Sequence, residues 1–255
     1  MSVKNKLRGI REIFYFDNWF QLLLSHTLFS RQPLQVYRKG NINVVSDKSK
    51  GDVMGMRNVI TAPMYRVFLK EMALPGKISL LDIGANVGGF AIMMKLNGHD
   101  PVKYVGVEMH PQNFSRLAMN ILNNFTGTPQ LLNQAVYNEN GSIKVSFTGG
   151  GTSESVSEIK GGGETELPTI TLDTLITQYF PGEQVDLCKI DIEGSEYDIF
   201  FGNAFHEIKN ARFILIEIHP NKIYKEEELV QVISNQGFKM IKHFEDVYLF
   251  KNELL

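Results

Sequence analysis

LLDIGANVGG, residues Leu80 to Gly89, decides the fold. It completes a short, nearly all-apolar run, Ile78 to Ile83, of the kind a strand buried on both faces requires. Gly84 and Gly88 let the backbone turn tightly and approach a ligand with no Cβ in the way. The loop opens a helix predicted over Gly88 to Leu96, whose first N–H groups attract negative charge. A second strand, Tyr104 to Val107, ends at Glu108, and a carboxylate at a strand tip can accept from both hydroxyls of a ribose. Asp82, the glycines, the strand–loop–helix order and Glu108 together predict a nucleotide-type binding unit.

Two ligands use such a unit. A dinucleotide needs G-x-G-x-x-G with an acid about 20 residues on. Gly84 and Gly89 fit the outer glycines, but Asn86 stands at the middle position, where the pyrophosphate comes close. Asp82 would also repel that pyrophosphate. The same Asp suits S-adenosylmethionine, which carries an ammonium and a sulfonium and no phosphate. The residues therefore favour S-adenosylmethionine as cofactor, with an NAD-dependent oxidoreductase as the alternative.

Outward from the loop, strands alternate with helices. Helices are predicted at Pro63–Met72, Pro111–Asn123, Leu172–Tyr179, Glu196–Gly202 and Lys225–Gln236. Further strands are predicted at Leu131–Val136, Val185–Ile190 and Phe213–Ile218. Lys239–His243 and Val247–Phe250 are too close for a parallel crossover and must pair antiparallel. The expected fold is α/β, a doubly wound, Rossmann-like, seven-stranded, mostly parallel sheet with a reversed terminal strand. Residues 1–60 read as an N-terminal helical extension or cap, with one helix over 4–29 and an irregular 41–60 holding a short strand at Ile42–Val45. Residues 61–255 read as the cofactor-binding domain. Ser142–Thr148 reads as an extended hairpin arm, and Leu167–Ile170 reads as extended again. The Gly/Ser/Thr/Glu-rich 149–166 reads as a mobile lid.

Composition narrows the setting. The net charge of −2 over 255 residues offers no field for nucleic acid. One cysteine, Cys188, excludes an internal disulfide and fits a reducing compartment. No apolar run reaches the roughly 18 residues of a membrane span, and the first residues lack a signal-peptide pattern. The expected location is the cytoplasm. Lys4, Lys6, Arg8 and Arg11 before a Phe/Trp-rich stretch would suit a membrane-surface helix, though a helix packed on the domain is the ordinary explanation.

LLDIGANVGGFAI, VGVEMHPQNF, LPTITLDTLI, KIDIEGSEYDIF and LIEIHP, in this order from Leu80 to Pro220, resemble the FkbM family of methyltransferases. The resemblance implies S-adenosylmethionine-dependent O-methylation of a hydroxyl on a sugar, polysaccharide or natural product, with a small-molecule or glycan acceptor. It implies that Asp82, Gly84, Ala85, Asn86 and Gly88 line the methionine end of the cofactor and that Glu108 holds the ribose. Met109, Gln134 and Ala135 would flank the adenine, with Asp191 beside the sulfonium. A non-catalytic scaffold of the same fold stays open.

Methyl transfer to oxygen aligns hydroxyl, methyl and sulfonium and removes a proton. Asp191, Glu193 and His219 stand at carboxyl ends of strands, where open α/β sheets bind ligands. His219 is the natural general base, since its ordinary pKa is near 6.5. Glu193 could instead cap the next helix, and Glu217 and Lys189 flank the site without an assigned role. Asp191, Glu193 and His219 could ligate a metal, but no tight ligand motif is present and none is expected.

Overall fold

The computed structural model describes residues 9–27, 33–147 and 165–255. Its centre is a seven-stranded sheet. In chain order the strands are β3 (Lys77–Ile83), β4 (Asp100–Val107), β5 (Gln130–Leu132), β9 (Val185–Ile190), β10 (Ala211–Glu217), β11 (Phe238–Phe244) and β12 (Val247–Asn252). Their spatial order is β11-β12-β10-β9-β3-β4-β5. β5, β4, β3, β9 and β10 run parallel, and β12 is antiparallel to both of its neighbours. The reversed strand is thus last in sequence but sits one place in from the edge, because β11 crosses over first and β12 folds back into the gap.

Alternation along the strands sends side chains to two cores. Leu80, Leu187, Leu215 and Val247 face α2 (Pro63–Met72), α3 (Gly89–Leu96) and α4 (Pro111–Asn124). Leu81, Cys188, Ile190 and Ile216 face α5 (Leu172–Tyr179), α6 (Glu196–Phe200) and α7 (Glu226–Ser234). The register pairs Asp82 with Lys189 and Lys189 with Leu215 on the first face. Two opposite charges therefore sit side by side in an otherwise apolar layer.

The predicted helix 4–29 is broken. Among the described residues, 9–13 are helical, 14–18 turn, and α1 spans Trp19–Thr27. Asp17 and Asn18 cause the break. Asp17 accepts from Gly40 N at 2.7 Å and Lys39 Nζ at 3.0 Å. Asn18 donates to Val36 O at 2.8 Å and accepts from Arg38 N at 3.0 Å. Short polar side chains here offer the hairpin backbone bonds that compete with a continuous helix. That hairpin, β1 (Leu34–Lys39) and β2 (Ile42–Asp47), exceeds the single short strand expected, and Gly40-Asn41 forms its turn.

The extension shares one core with the sheet, since Ile13, Phe16, Tyr37, Met56 and Ile60 pack with Leu80 and Phe90. A π-helical turn, Met54–Asn58, leads into a helical turn, Val59–Thr61, where irregular chain was expected.

The strand expected at 131–136 is two strands. β5 stays in the main sheet, while β6 (Ala135–Val136) pairs with β8 (Thr165–Ile170), which also pairs with β7 (Gly141–Val145). Asn133 makes the division: its Nδ2 donates to Glu108 O at 2.8 Å and Met109 O at 2.9 Å, tying the chain to the end of β4 as it leaves the sheet. All but 165–166 of the lid expected at 149–166 lies outside the described residues; Thr165 and Glu166 are strand. No described helix is long and apolar enough to cross a membrane.

Candidate active site

The glycine loop is held mainly by backbone. Gly84 N and Ala85 N both donate to Val107 O, at 3.0 and 2.9 Å, tying the loop to β4. Gly84 has φ +72°, and a Cβ there would lie 1.8 Å from Asp191 O. Gly89 is as tightly enclosed: its Cβ would lie 2.1 Å from Gly55 O of the π-helical turn. Asn86 itself adopts φ +51°, a left-handed conformation that non-glycine residues visit rarely.

Glu108 is buried, and burial pushes its pKa up to about 7, with Asn86 N–H, His110 N–H and Lys189 acting against that rise. Its carboxylate accepts from Asn86 N at 2.9 Å and His110 N at 2.8 Å. It stands on the wall of a cleft enclosing about 600 Å³, part of it open to solvent. Gly84, Asn86, Glu108, Met109, Gln134, Ala135, Asp191 and Glu193 all reach this wall. Asp82, Ala85 and Gly88 do not. Asp82 is fully buried beneath the loop, where it accepts from Tyr104 Oη at 3.1 Å and lies 3.6 Å from Lys189 Nζ. Ala85 is buried in the core, and Gly88 faces Leu117 and Ile121 of α4. His110, Asn113 and Ser195 line the cleft without having been expected. His110 Nδ1 accepts from Gln112 N at 3.2 Å and so caps α4; its place before Pro111 was the available signal.

The ends of β9 and β10 carry the ionic part. His219 Nδ1 lies 2.9 Å from Oε1 of Glu196, which is fully buried. His219 Nε2 lies 3.3 Å from Glu193 Oε2 and 3.6 Å from Glu217 Oε1. Burial alone would lower the His219 pKa. The hydrogen bond and charge of Glu196, with the charges of Glu193 and Asp191, outweigh burial and raise it to about 9. These neighbours favour the protonated form of His219, which makes it a poorer general base near neutral pH than its ordinary pKa implies. Burial lifts Glu193 and Glu217 to about 7; His219 opposes both rises, and Asp191 adds to them. Glu193 has φ +54°, a second strained residue on the cleft.

Lys189 ties the halves together. Its Nζ donates to Gly84 O at 2.7 Å and lies 3.3 Å from Asp191 Oδ2. Burial opposes its charge, but Asp191 and Asp82 override burial and raise its pKa. Asp191, Glu217 and His219 each offer a ligand atom within 4.8 Å of the others. The Lys189 ammonium and the His219 imidazolium already neutralise part of this group.

The sequence from residue 82 to 240 matches the family model described as the methyltransferase FkbM domain, well over half of the chain. The chain belongs to the FkbM family of methyltransferases. That assignment sets aside the dinucleotide alternative. No curated protein sequence matches this FkbM-family chain. Solved structures similar to it include the methyltransferase FkbM from Methylobacillus flagellatus, at 13% identity over 69% of this chain and 44% of that one, TM-score 0.43. A TehB-like SAM-dependent methyltransferase from Corynebacterium glutamicum matches at 12% identity over 73% and 86%, TM-score 0.41. The magnesium protoporphyrin IX methyltransferase from Synechocystis, solved with bound SAM, matches at 13% over 80% and 81%, TM-score 0.42. The family assignment rests on the sequence match, not on these likenesses.

The cleft of this FkbM-family chain suits S-adenosylmethionine chemically. Asn86 Oδ1, Gln134 Oε1 and Ser195 Oγ are buried on or beside its wall without a hydrogen-bond partner among the described residues. Buried polar atoms are normally paired, and a ligand rich in amine and hydroxyl donors would pair these.

Proposed function

We propose that the chain transfers a methyl group from S-adenosylmethionine to a hydroxyl oxygen of a sugar, polysaccharide or natural-product acceptor. The observation that carries this is the carboxylate cluster at the ends of β9 and β10. Glu193 and Glu217, with pKa values near 7, are poised to take a hydroxyl proton, and efficiency is greatest when the base titrates near the working pH.

Bound S-adenosylmethionine supplies an electrophilic methyl group on a sulfonium. Glu108 would accept from the ribose hydroxyls, Gln134 Oε1 from the adenine amine and Asn86 Oδ1 from the ammonium, with Met109 and Ala135 beside the ring. Asp191 would face the sulfonium with its charge. Asp82, Ala85 and Gly88 act from behind the wall: Asp82 balances Lys189, while Ala85 and Gly88 shape the loop. Glu193 would hold or take a proton at the cleft, and His219 would fix Glu193 and Glu217 in place as an imidazolium. A cytoplasmic setting and a small-molecule or glycan acceptor belong to the same proposal, supported by the single buried thiol of Cys188 and the near-neutral charge. Calorimetric titration with S-adenosylhomocysteine is the test, with saturable one-to-one binding expected. Absence of heat at any concentration up to millimolar would sink the proposal.

A further inference from the structure

The N-terminal extension buries one face and leaves the other bare. Ile13, Phe16 and Leu22 belong to the core it shares with the sheet. Ile10, Phe14, Trp19 and Phe20 are exposed, Phe14 to 53%, Trp19 to 40% and Phe20 to 61%. The three rings touch: centroids are 5.1 Å apart for Phe14 and Trp19, and 5.7 Å for Trp19 and Phe20. Ile10 lies one turn before Phe14, whose N–H donates to Ile10 O at 3.3 Å. On β1, Leu34 and Val36 are exposed on the outer face, and Asn18 ties that strand to the ring cluster through Val36 O at 2.8 Å. Single exposed apolar residues are ordinary, but a cluster of touching rings marks a contact surface.

Charge selects what covers it. Residues 1–40 hold seven Lys and Arg against two acids, in a chain with 26 against 28 overall. Both acids are engaged: Glu12 accepts from Arg57 Nε at 2.9 Å, and Asp17 lies 3.0 Å from Lys39 Nζ. Arg11 is exposed next to Ile10, and Arg38 is exposed on the same strand face as Leu34 and Val36. A nucleic acid would use the rings for stacking, but Ile10, Leu34 and Val36 offer a base no flat face. A lipid surface suits the whole set. Acyl chains accept aliphatic and aromatic side chains alike, Trp settles at headgroup level, and Lys and Arg meet anionic headgroups. No described helix can cross a membrane, so such a contact lies in the plane of the surface.

We propose that this face docks on an anionic lipid surface. Phe14, Trp19 and Phe20 enter the headgroup layer, and Arg11 and Arg38 meet lipid phosphates. Ile13 and Phe16 pack in the same core as Leu80, so the docking face is fixed to the sheet. None of the docking residues lines the cleft, and the contact is independent of the methyl-transfer reading.

Trp19 is the only tryptophan in the chain, so intrinsic emission reads this face alone. The test mixes the protein with phosphatidylcholine vesicles, with and without about one-quarter phosphatidylglycerol. With the anionic vesicles the protein should sediment, and Trp19 emission should move to shorter wavelength and be quenched by brominated acyl chains. Affinity should fall roughly tenfold without phosphatidylglycerol, and should fall as salt is raised. Phe20→Ser should weaken binding roughly tenfold. Arg11→Glu combined with Arg38→Glu should do the same. These side chains are exposed and outside the cleft, so both variants should keep the wild-type melt and S-adenosylhomocysteine affinity within about twofold. No sedimentation with either vesicle overturns the proposal, and equal affinity for both overturns the anionic choice. Quenching of Trp19 by single-stranded RNA but not by vesicles makes the face a nucleic-acid contact. A dimer split by Phe20→Ser, without vesicle binding, makes it an interface between copies. Either result overturns lipid docking.

Discussion

On the β3–β4 side of the cleft, the wall is local chain and backbone: Gly84 and Ala85 hang on Val107 O, and Glu108 accepts from its near neighbour His110. On the β9–β10 side, the wall is side chains brought from distant positions: Lys189 bonds Gly84 O, and His219 bonds Glu196. The first side recognises by shape and fixed N–H groups. The second holds titratable charge. Backbone geometry tolerates no added atom, whereas an ionic cluster adjusts its protonation, so the two sides should fail differently.

The largest effect is expected from Gly84→Ala. The new Cβ would lie 1.8 Å from Asp191 O at a left-handed φ. Strain of this kind costs on the order of 3 kcal/mol, which for a chain of this size lowers Tm by roughly 6–12 °C in a circular dichroism melt. S-adenosylhomocysteine binding should be lost with it. An unchanged melt would mean that the loop yields more than its enclosure implies.

Next comes Glu108→Ala, which removes the expected ribose acceptor and unpairs two backbone N–H groups. Calorimetry should show S-adenosylhomocysteine weakened roughly a hundredfold, about 2.8 kcal/mol. A change below threefold would remove Glu108 from the binding wall.

The ionic side is sharpened by pH. Glu193 and Glu217 hold protons more firmly folded, at about 7 against an ordinary 4.5, and Glu108 does the same on the other side. Their stabilisation is complete below about 4.5 and is lost as pH rises through about 7. His219, raised from 6.5 to about 9, acts in the same sense: its contribution is full below 6.5 and lost as pH climbs through 9. The ligand-free protein should therefore melt at progressively lower temperature between pH 5 and pH 9. His219→Gln should flatten the upper part of that fall. A melt that rises from pH 7 to 9 would contradict the imidazolium.

The smallest expected effect is that of a chelator. Lys189 and His219 already supply positive charge beside Asp191 and Glu217, so EDTA should change methyl-transfer rate by less than twofold. A loss restored by magnesium or manganese would turn the same trio into a metal site.

The sequence by itself determined the strand–loop–helix unit, the parallel sheet, the reversed strand and the methyltransferase family. These depend on local periodicity, on glycines and on motif order, all of which are read along the chain. It misjudged elements whose state depends on a distant partner: the helix broken where Asp17 and Asn18 meet the hairpin, and the strand divided at Asn133. It named Asp191, Glu193 and His219 for the catalytic side, but only the tertiary structure gave His219 its three carboxylates. Glu196, Glu193 and Asp191 outweigh burial there and favour the protonated form of an expected base. Nor could spacing connect Tyr65 to Asp191, 126 positions apart, because their meeting depends on how α2 lies across the sheet. Proton affinity is set by surroundings in space, and residue type supplies only its starting value.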